Sequence, residues 1–107
     1  ISNKADSAVQ ELIAHYFPGL FDAVVGERPG VRRKPAPDVV LEVLRALSAA
    51  PAGAVYIGDS EVDVETARNA GLPCIAVDWG FRSHEILLQH GAQTIASSPA
   101  ELQFLLA

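Results

Sequence analysis

The sequence predicts a small α/β domain: a parallel sheet with helices on both faces. Three observations predict it. Short apolar runs alternate with amphipathic stretches along the chain, the pattern of successive β-α-β units. Cap and stop residues punctuate that alternation, Ser ahead of helical stretches and Gly or Pro after them. Half of the 107 residues are hydrophobic and a fifth are charged, which suits one domain with a modest core.

The elements follow in order. Ile1-Ser2-Asn3-Lys4 reads as the end of a strand and a turn, and a mature amphipathic helix comes directly after it. A chain that opens this way is expected to begin inside a larger protein. Val9, Leu12, Ile13, Tyr16 and Phe17 mark the apolar face of that helix, and Pro18-Gly19 ends it. Phe21 to Gly26 reads as a short strand. A polar loop from Glu27 to Pro37 holds the only basic concentration, with Arg28, Arg32, Arg33 and Lys34. Pro37 and Asp38 suit the start of the next helix, whose expected stripe is Val40, Val43, Leu44 and Leu47. Pro51-Ala52-Gly53 then breaks the chain before an apolar strand, Val55-Tyr56-Ile57. Gly58 allows a turn and Ser60 caps a helix in which Val62, Thr66, Ala67 and Ala70 recur at helical spacing. Gly71 stops it. Pro73 to Val77 is the next buried strand, Ser83 caps a short helix, and Thr94 to Ala96 is a last strand. Ser98 caps a final helix with Leu102, Leu105 and Leu106 expected inward.

The balance of charge narrows the function. A formal net charge of -5 argues against a nucleic-acid surface. No apolar run approaches the ~20 residues of a transmembrane helix, so no membrane partner is expected. The single Cys74 lies in an apolar run, which rules out a disulfide framework and argues against zinc. Cytoplasm is the expected location.

The chemistry is expected where strands end. In a parallel α/β sheet the loops after the strands gather at one edge. Four polar loops should meet there: Ser2 to Lys4, the loop with Lys34, Asp59 to Asp63, and Asp78 to Ser83. Ser60 and Asp63 also read as an ordinary helix start, and Ser98 to Glu101 repeats that grammar without any chemistry. Capping does not account for Asp59, which precedes the cap. Asp59 and Asp63 stand at one strand-helix junction, close enough to share a hard cation such as Mg²⁺. A hydroxyl, a lysine and paired acids together suit a phosphoryl group and its divalent ion. Taken singly, Ser2 is as well read as a turn residue and Lys34 as a surface lysine. Trp79 and Phe81 read as packing residues, and His15, His84 and His90 show no partner pattern.

These stretches carry a resemblance. Ser2-Asn3-Lys4, Lys34-Pro35-Ala36-Pro37-Asp38 and Gly58-Asp59-Ser60-Glu61-Val62-Asp63 resemble the second, third and fourth motifs of the haloacid dehalogenase superfamily. Ala67-Arg68-Asn69-Ala70-Gly71 and Trp79-Gly80-Phe81-Arg82-Ser83 are similar to its phosphoglycolate phosphatase branch. The resemblance spans essentially all 107 residues. It implies a three-layer, Rossmann-like core and a Mg²⁺-dependent phosphatase acting on a small phosphorylated metabolite through an aspartyl-phosphate. It also implies roles. Ser2 and Lys34 would be catalytic, with Ser2, Asn3 and Lys34 binding phosphate. Asp59 would bind Mg²⁺, and Asp63 would support the metal directly or through water. Val62 stands where many relatives carry a polar residue.

One departure is large. The family's first motif, Asp-x-Asp-Gly, holds its nucleophile and general acid, and no Asp-x-Asp occurs in this chain. The cap domain that selects substrate is missing as well. The expectation is therefore the carboxyl-terminal part of a core domain, inactive by itself and lacking a central strand. Such a chain should pair with a second copy, as a homodimer or by strand exchange, or close the gap by rearrangement. A non-catalytic binding or interaction module on the same core is the alternative. A phosphoacceptor receiver fits poorly because Lys34 precedes Asp59, and a dinucleotide-binding fold lacks its Gly-x-Gly-x-x-Gly.

Overall fold

The computed structural model describes residues Ile1–Ala107. Three strands form one parallel sheet in the order β1 (Tyr56–Gly58), β2 (Cys74–Val77), β3 (Ile95–Ala96). Helix α3 (Glu61–Ala70) connects β1 to β2, and α4 (His84–Gln89) connects β2 to β3. Helices α1 (Asp6–Tyr16) and α2 (Asp38–Ala46) precede the sheet, and α5 (Pro99–Leu106) follows it. Ile57 pairs with Ile75, and Ala76 with Ile95.

The pleat of β2 divides the core. On one face Tyr56 packs with Val39, Val40 and Leu44 of α2 and with Ala67 and Ala70 of α3. Beside them Ala76 meets Val64 of α3 and Leu87 of α4. On the other face Ile75 and Val77 pack with Ala96 and with Leu102 of α5. Helices therefore cover both faces, as expected, but the second face is covered only toward β3. Val55 and Ile57, expected in a buried strand, are 37% and 41% exposed because nothing packs over them. No helix is long and apolar enough to cross a membrane.

Other sequence expectations need correction, among them Leu47, which lies past the end of α2 and is exposed rather than part of its buried stripe. Phe21 to Gly26 is not a strand. Its end is tied to the first turn by a single bridge between Ala5 and Glu27, with Ser2 donating to the Val25 carbonyl at 3.1 Å. Apolar residues favour an extended chain, but a strand needs a continuous ladder, and Phe21 lies exposed with no such neighbour. Of the stripe expected on α1, only Val9 is buried; Leu12, Tyr16 and Phe17 are exposed. Leu105 and Leu106 of α5 are likewise exposed, leaving Leu102 as the inward contact.

Candidate functional site

β1 ends at Gly58, and the chain turns at Asp59 and Ser60 into α3. Ser60 caps that helix, its hydroxyl accepting from the Asp63 amide at 3.4 Å. Gly58 is required by proximity. A Cβ there would sit 2.2 Å from the Cβ of Asp63. This close packing turns the Asp63 side chain inward, under the strand end, where it is 5% exposed.

Asp63 accepts from four donors there. Lys34 Nζ lies 2.8 Å and the Tyr56 hydroxyl 3.1 Å from its Oδ1. The Asp59 amide lies 3.0 Å and the Ser60 hydroxyl 3.2 Å from its Oδ2. Burial pushes the Asp63 carboxyl up. The hydrogen bond and charge of Lys34, helped by the Asp59 amide and Tyr56, outweigh burial and hold it below the usual carboxylate range. Burial, then the charge on Asp63, pushes the Tyr56 hydroxyl well above its ordinary value, so Tyr56 is a fixed donor.

Lys34 is held from behind. The Asn3 side chain brackets its backbone, Oδ1 accepting from the Lys34 amide at 3.0 Å and Nδ2 donating to the Lys34 carbonyl at 3.3 Å. Asn69 of α3 donates to the next carbonyl, that of Pro35, at 2.9 Å. Residues from well before and well after it in the sequence thus fix where the lysine stands. Ser2 is placed next to this bracket, its hydroxyl accepting from the Lys4 amide at 3.0 Å.

Asp59 faces differently. Its Oδ2 accepts from the Phe81 amide at 3.1 Å, and its Oδ1 makes no hydrogen bond within the chain. A Cβ on Gly80 would lie 2.4 Å from that Oδ2, so the loop after β2 can approach only because residue 80 is glycine. At the same sheet edge Asp78 accepts from Ser97 Oγ at 2.7 Å, and its Oδ2 lies 2.9 Å from His84 Nδ1. Hydrogen bonds from Ser97, then His84, hold the Asp78 carboxyl low.

The structure thus brings Lys34, Asp63 and Asp59 together, with Asn3 bonded to the Lys34 backbone and Ser2 beside it. Sequence reasoning missed Tyr56, Asn69, the Phe81 amide and the bracket role of the Asn3 side chain. Tyr56 carries a weak signal, a lone hydroxyl in an apolar strand; the others are contacts between distant parts of the chain. For a cation, the donor chemistry fits in part. Asp59 offers a hard carboxylate oxygen free of other partners, whereas both oxygens of Asp63 are occupied. No group of three or more His, Cys, Asp or Glu side chains gathers here to form a complete shell.

Known proteins resemble this chain in sequence and fold. A family model described as haloacid dehalogenase-like hydrolase matches residues 1–77. A phosphoglycolate phosphatase of Rhodobacter capsulatus is 38% identical over 94 residues, covering 86% of this chain and 42% of that protein. A crystal structure of a candidate phosphoglycolate phosphatase from Lactobacillus delbrueckii superposes with a TM-score of 0.94 at 47% identity, over 97% of this chain and 44% of that one. CbbY of Rhodobacter sphaeroides, solved in complex with xylulose-(1,5)bisphosphate, superposes with a TM-score of 0.76 at 29% identity over 94% of this chain and 45% of its own. The chain thus spans somewhat under half the length of these relatives. With the motifs at one sheet edge and a family match over most of its length, the chain belongs to the haloacid dehalogenase-like hydrolases.

Proposed function

We propose that these residues form the phosphate-binding and metal-binding part of a Mg²⁺-dependent phosphatase acting on a small phosphate monoester of the phosphoglycolate kind. The observation that carries the reading is the buried Lys34–Asp63 pair set beside Asp59, whose Oδ1 is free. Ser2 would hydrogen-bond the phosphoryl group, with the Asn3 backbone assisting. Lys34 would offset charge on the phosphoryl oxygens. Asp59 would hold Mg²⁺, which when bound supplies charge neutralisation at the phosphoryl group. Asp63 would support the metal site from behind, by fixing Lys34 and the Asp59 amide.

The nucleophile of this reading is a carboxylate from outside these 107 residues. It would attack phosphorus and form an aspartyl-phosphate, and the alcohol would leave with a proton from a general acid. Water would then cleave the acyl phosphate and release inorganic phosphate. The reading includes a cytoplasmic setting and self-association of this chain through the free edge of β1.

The test is kinetic, on the whole gene product with phosphoglycolate and p-nitrophenyl phosphate. Asp59→Asn should abolish Mg²⁺ activation, and Lys34→Ala should cut turnover by about a hundredfold, since a lost charge-stabilising donor costs ~3 kcal/mol. Mg²⁺ dependence unchanged in the Asp59 variant would sink the metal assignment. Wild-type turnover without Lys34 would return it to the role of a structural cation.

A further inference from the structure

The geometry points to Arg82 as a positioning residue for Asp59, acting through Glu61 and the loop after β2. This inference rests on the proposed role of Asp59 as a metal ligand. Arg82 makes a two-pronged pair with Glu61, Nε to Oε2 at 2.9 Å and Nη2 to Oε1 at 3.0 Å. Glu61 is the first residue of α3, directly after the Ser60 cap. The pair therefore straps the exit loop of β2 onto the start of α3, bridging 21 residues of sequence.

The strap ends on Asp59 itself. Arg82 donates its backbone amide to the Asp59 carbonyl at 3.2 Å, and Phe81 donates its amide to Asp59 Oδ2 at 3.1 Å. The Arg82 guanidinium also lies 4.4 Å over the Phe81 ring, which fixes the two residues relative to each other. One carboxylate oxygen is thereby pinned by an N–H, and the other is left for a cation. A carboxylate free to rotate would lose that presentation, the way metal sites weaken when the partners that orient their ligands are removed.

The chain contains its own comparison. Arg32 makes an equally two-pronged pair with Asp38, at 3.0 and 2.7 Å, but it touches no part of Asp59. Both pairs keep contact with solvent, the Arg82 and Glu61 side chains being 36% and 26% exposed against 74% and 32% for Arg32 and Asp38, and pairs of this kind add little to global stability. An effect confined to Arg82 and Glu61 can therefore be assigned to positioning.

The experiment uses the whole gene product with Arg82→Gln, Glu61→Gln, the double variant, Arg32→Gln and Asp59→Asn. Without metal, amide exchange at Phe81 and Arg82 should speed up by about tenfold in the Arg82 and Glu61 variants, because the loop opens locally. The Mg²⁺ concentration for half-maximal activation should rise about tenfold, with kcat at saturating Mg²⁺ kept. The double variant should be no worse than either single one, since the two residues act as a unit. Arg32→Gln should move neither quantity. Arg82 and Glu61 variants that match Arg32→Gln, or that speed exchange without weakening Mg²⁺ activation, would overturn the inference. If Asp59→Asn leaves Mg²⁺ activation intact, the proposed function falls first, whatever the Arg82 variants do.

Discussion

Asp63 shows what one side chain holds together. Its carboxylate joins strand β1 through Tyr56, the basic loop through Lys34, and the start of α3 through Asp59 and Ser60. Replacing it by Asn would leave the largely buried Lys34 ammonium without a counter-charge, a change that typically costs ~3 kcal/mol or more. The acid limb of stability should change too. The folded carboxyl lies below its unfolded value, so its contribution is complete above the ordinary carboxylate pKa of about 3.9 and lost as pH falls through the lower folded value. Urea unfolding at neutral and acid pH should show Asp63→Asn less stable at neutrality and with a flatter acid decline. Equal stability of the two proteins at neutral pH would contradict the network. At this scale the sequence named Asp59, Asp63 and Lys34, the two acids because they follow the end of a strand and Lys34 because its loop holds the basic cluster and a lysine-proline motif. It could not name the Asn3 bracket, which joins residues 31 positions apart through side-chain geometry.

Helices were far more legible than strands, for a physical reason. A helix start is a local event: Ser60, Ser83 and Ser98 each accept from an amide three residues on. Gly71 adopts the left-handed conformation that ends α3, at φ of 76°. A strand depends on a neighbour, and Phe21 to Gly26 carries a strand's composition without one. The caps also differ in consequence. Ser98 only caps, so Ser98→Ala should cost ~1 kcal/mol. Ser60 caps and also donates to Asp63 Oδ2, so Ser60→Ala should cost roughly 2 kcal/mol, the cap plus a hydrogen bond to a buried charge. Combined with Asp63→Asn, the Ser60 effect should shrink, because the two share that bond. Additive losses in thermal unfolding of the double variant would show that Ser60 acts on the helix alone.

The molecule as a whole leaves β1 with an open edge. The register places Ile75 between Tyr56 and Gly58, so the amide and carbonyl of Ile57 point away from β2. An exposed, apolar, unpaired edge invites another strand. Sedimentation of the 107-residue chain should therefore show dimers at micromolar concentration, and Ile57→Lys should shift them toward monomer. A chain that stays monomeric as its concentration rises would count against pairing at this edge. The order of the elements was legible from the alternation of strands and helices, and the open edge followed from the resemblance, whose first-motif strand has no counterpart among these residues; what the sequence left unread is the exposure of Val55 and Ile57 beside it. The same arrangement bears on activity. Lys34 and Asp63 neutralise one another, and Asp59, one oxygen of which is held by the Phe81 amide, would be engaged as the metal ligand of the proposed site. Asp78 is occupied by Ser97 and His84 on another loop. None of these groups is free to attack phosphorus and also protonate a leaving alcohol. Proton transfer from a placed acid alone is worth ~10²–10⁴-fold, and the covalent route is lost with it. The 107-residue chain is therefore expected to release no phosphate from p-nitrophenyl phosphate or phosphoglycolate, even with excess Mg²⁺. Asp59→Asn serves as the control for a contaminating phosphatase. Turnover by the pure chain that vanishes in that variant would show that these residues contain a complete catalytic set. If turnover is absent, supplying a segment with Asp-x-Asp-Gly in the same solution should restore it, by filling the open edge and delivering the missing carboxylates together.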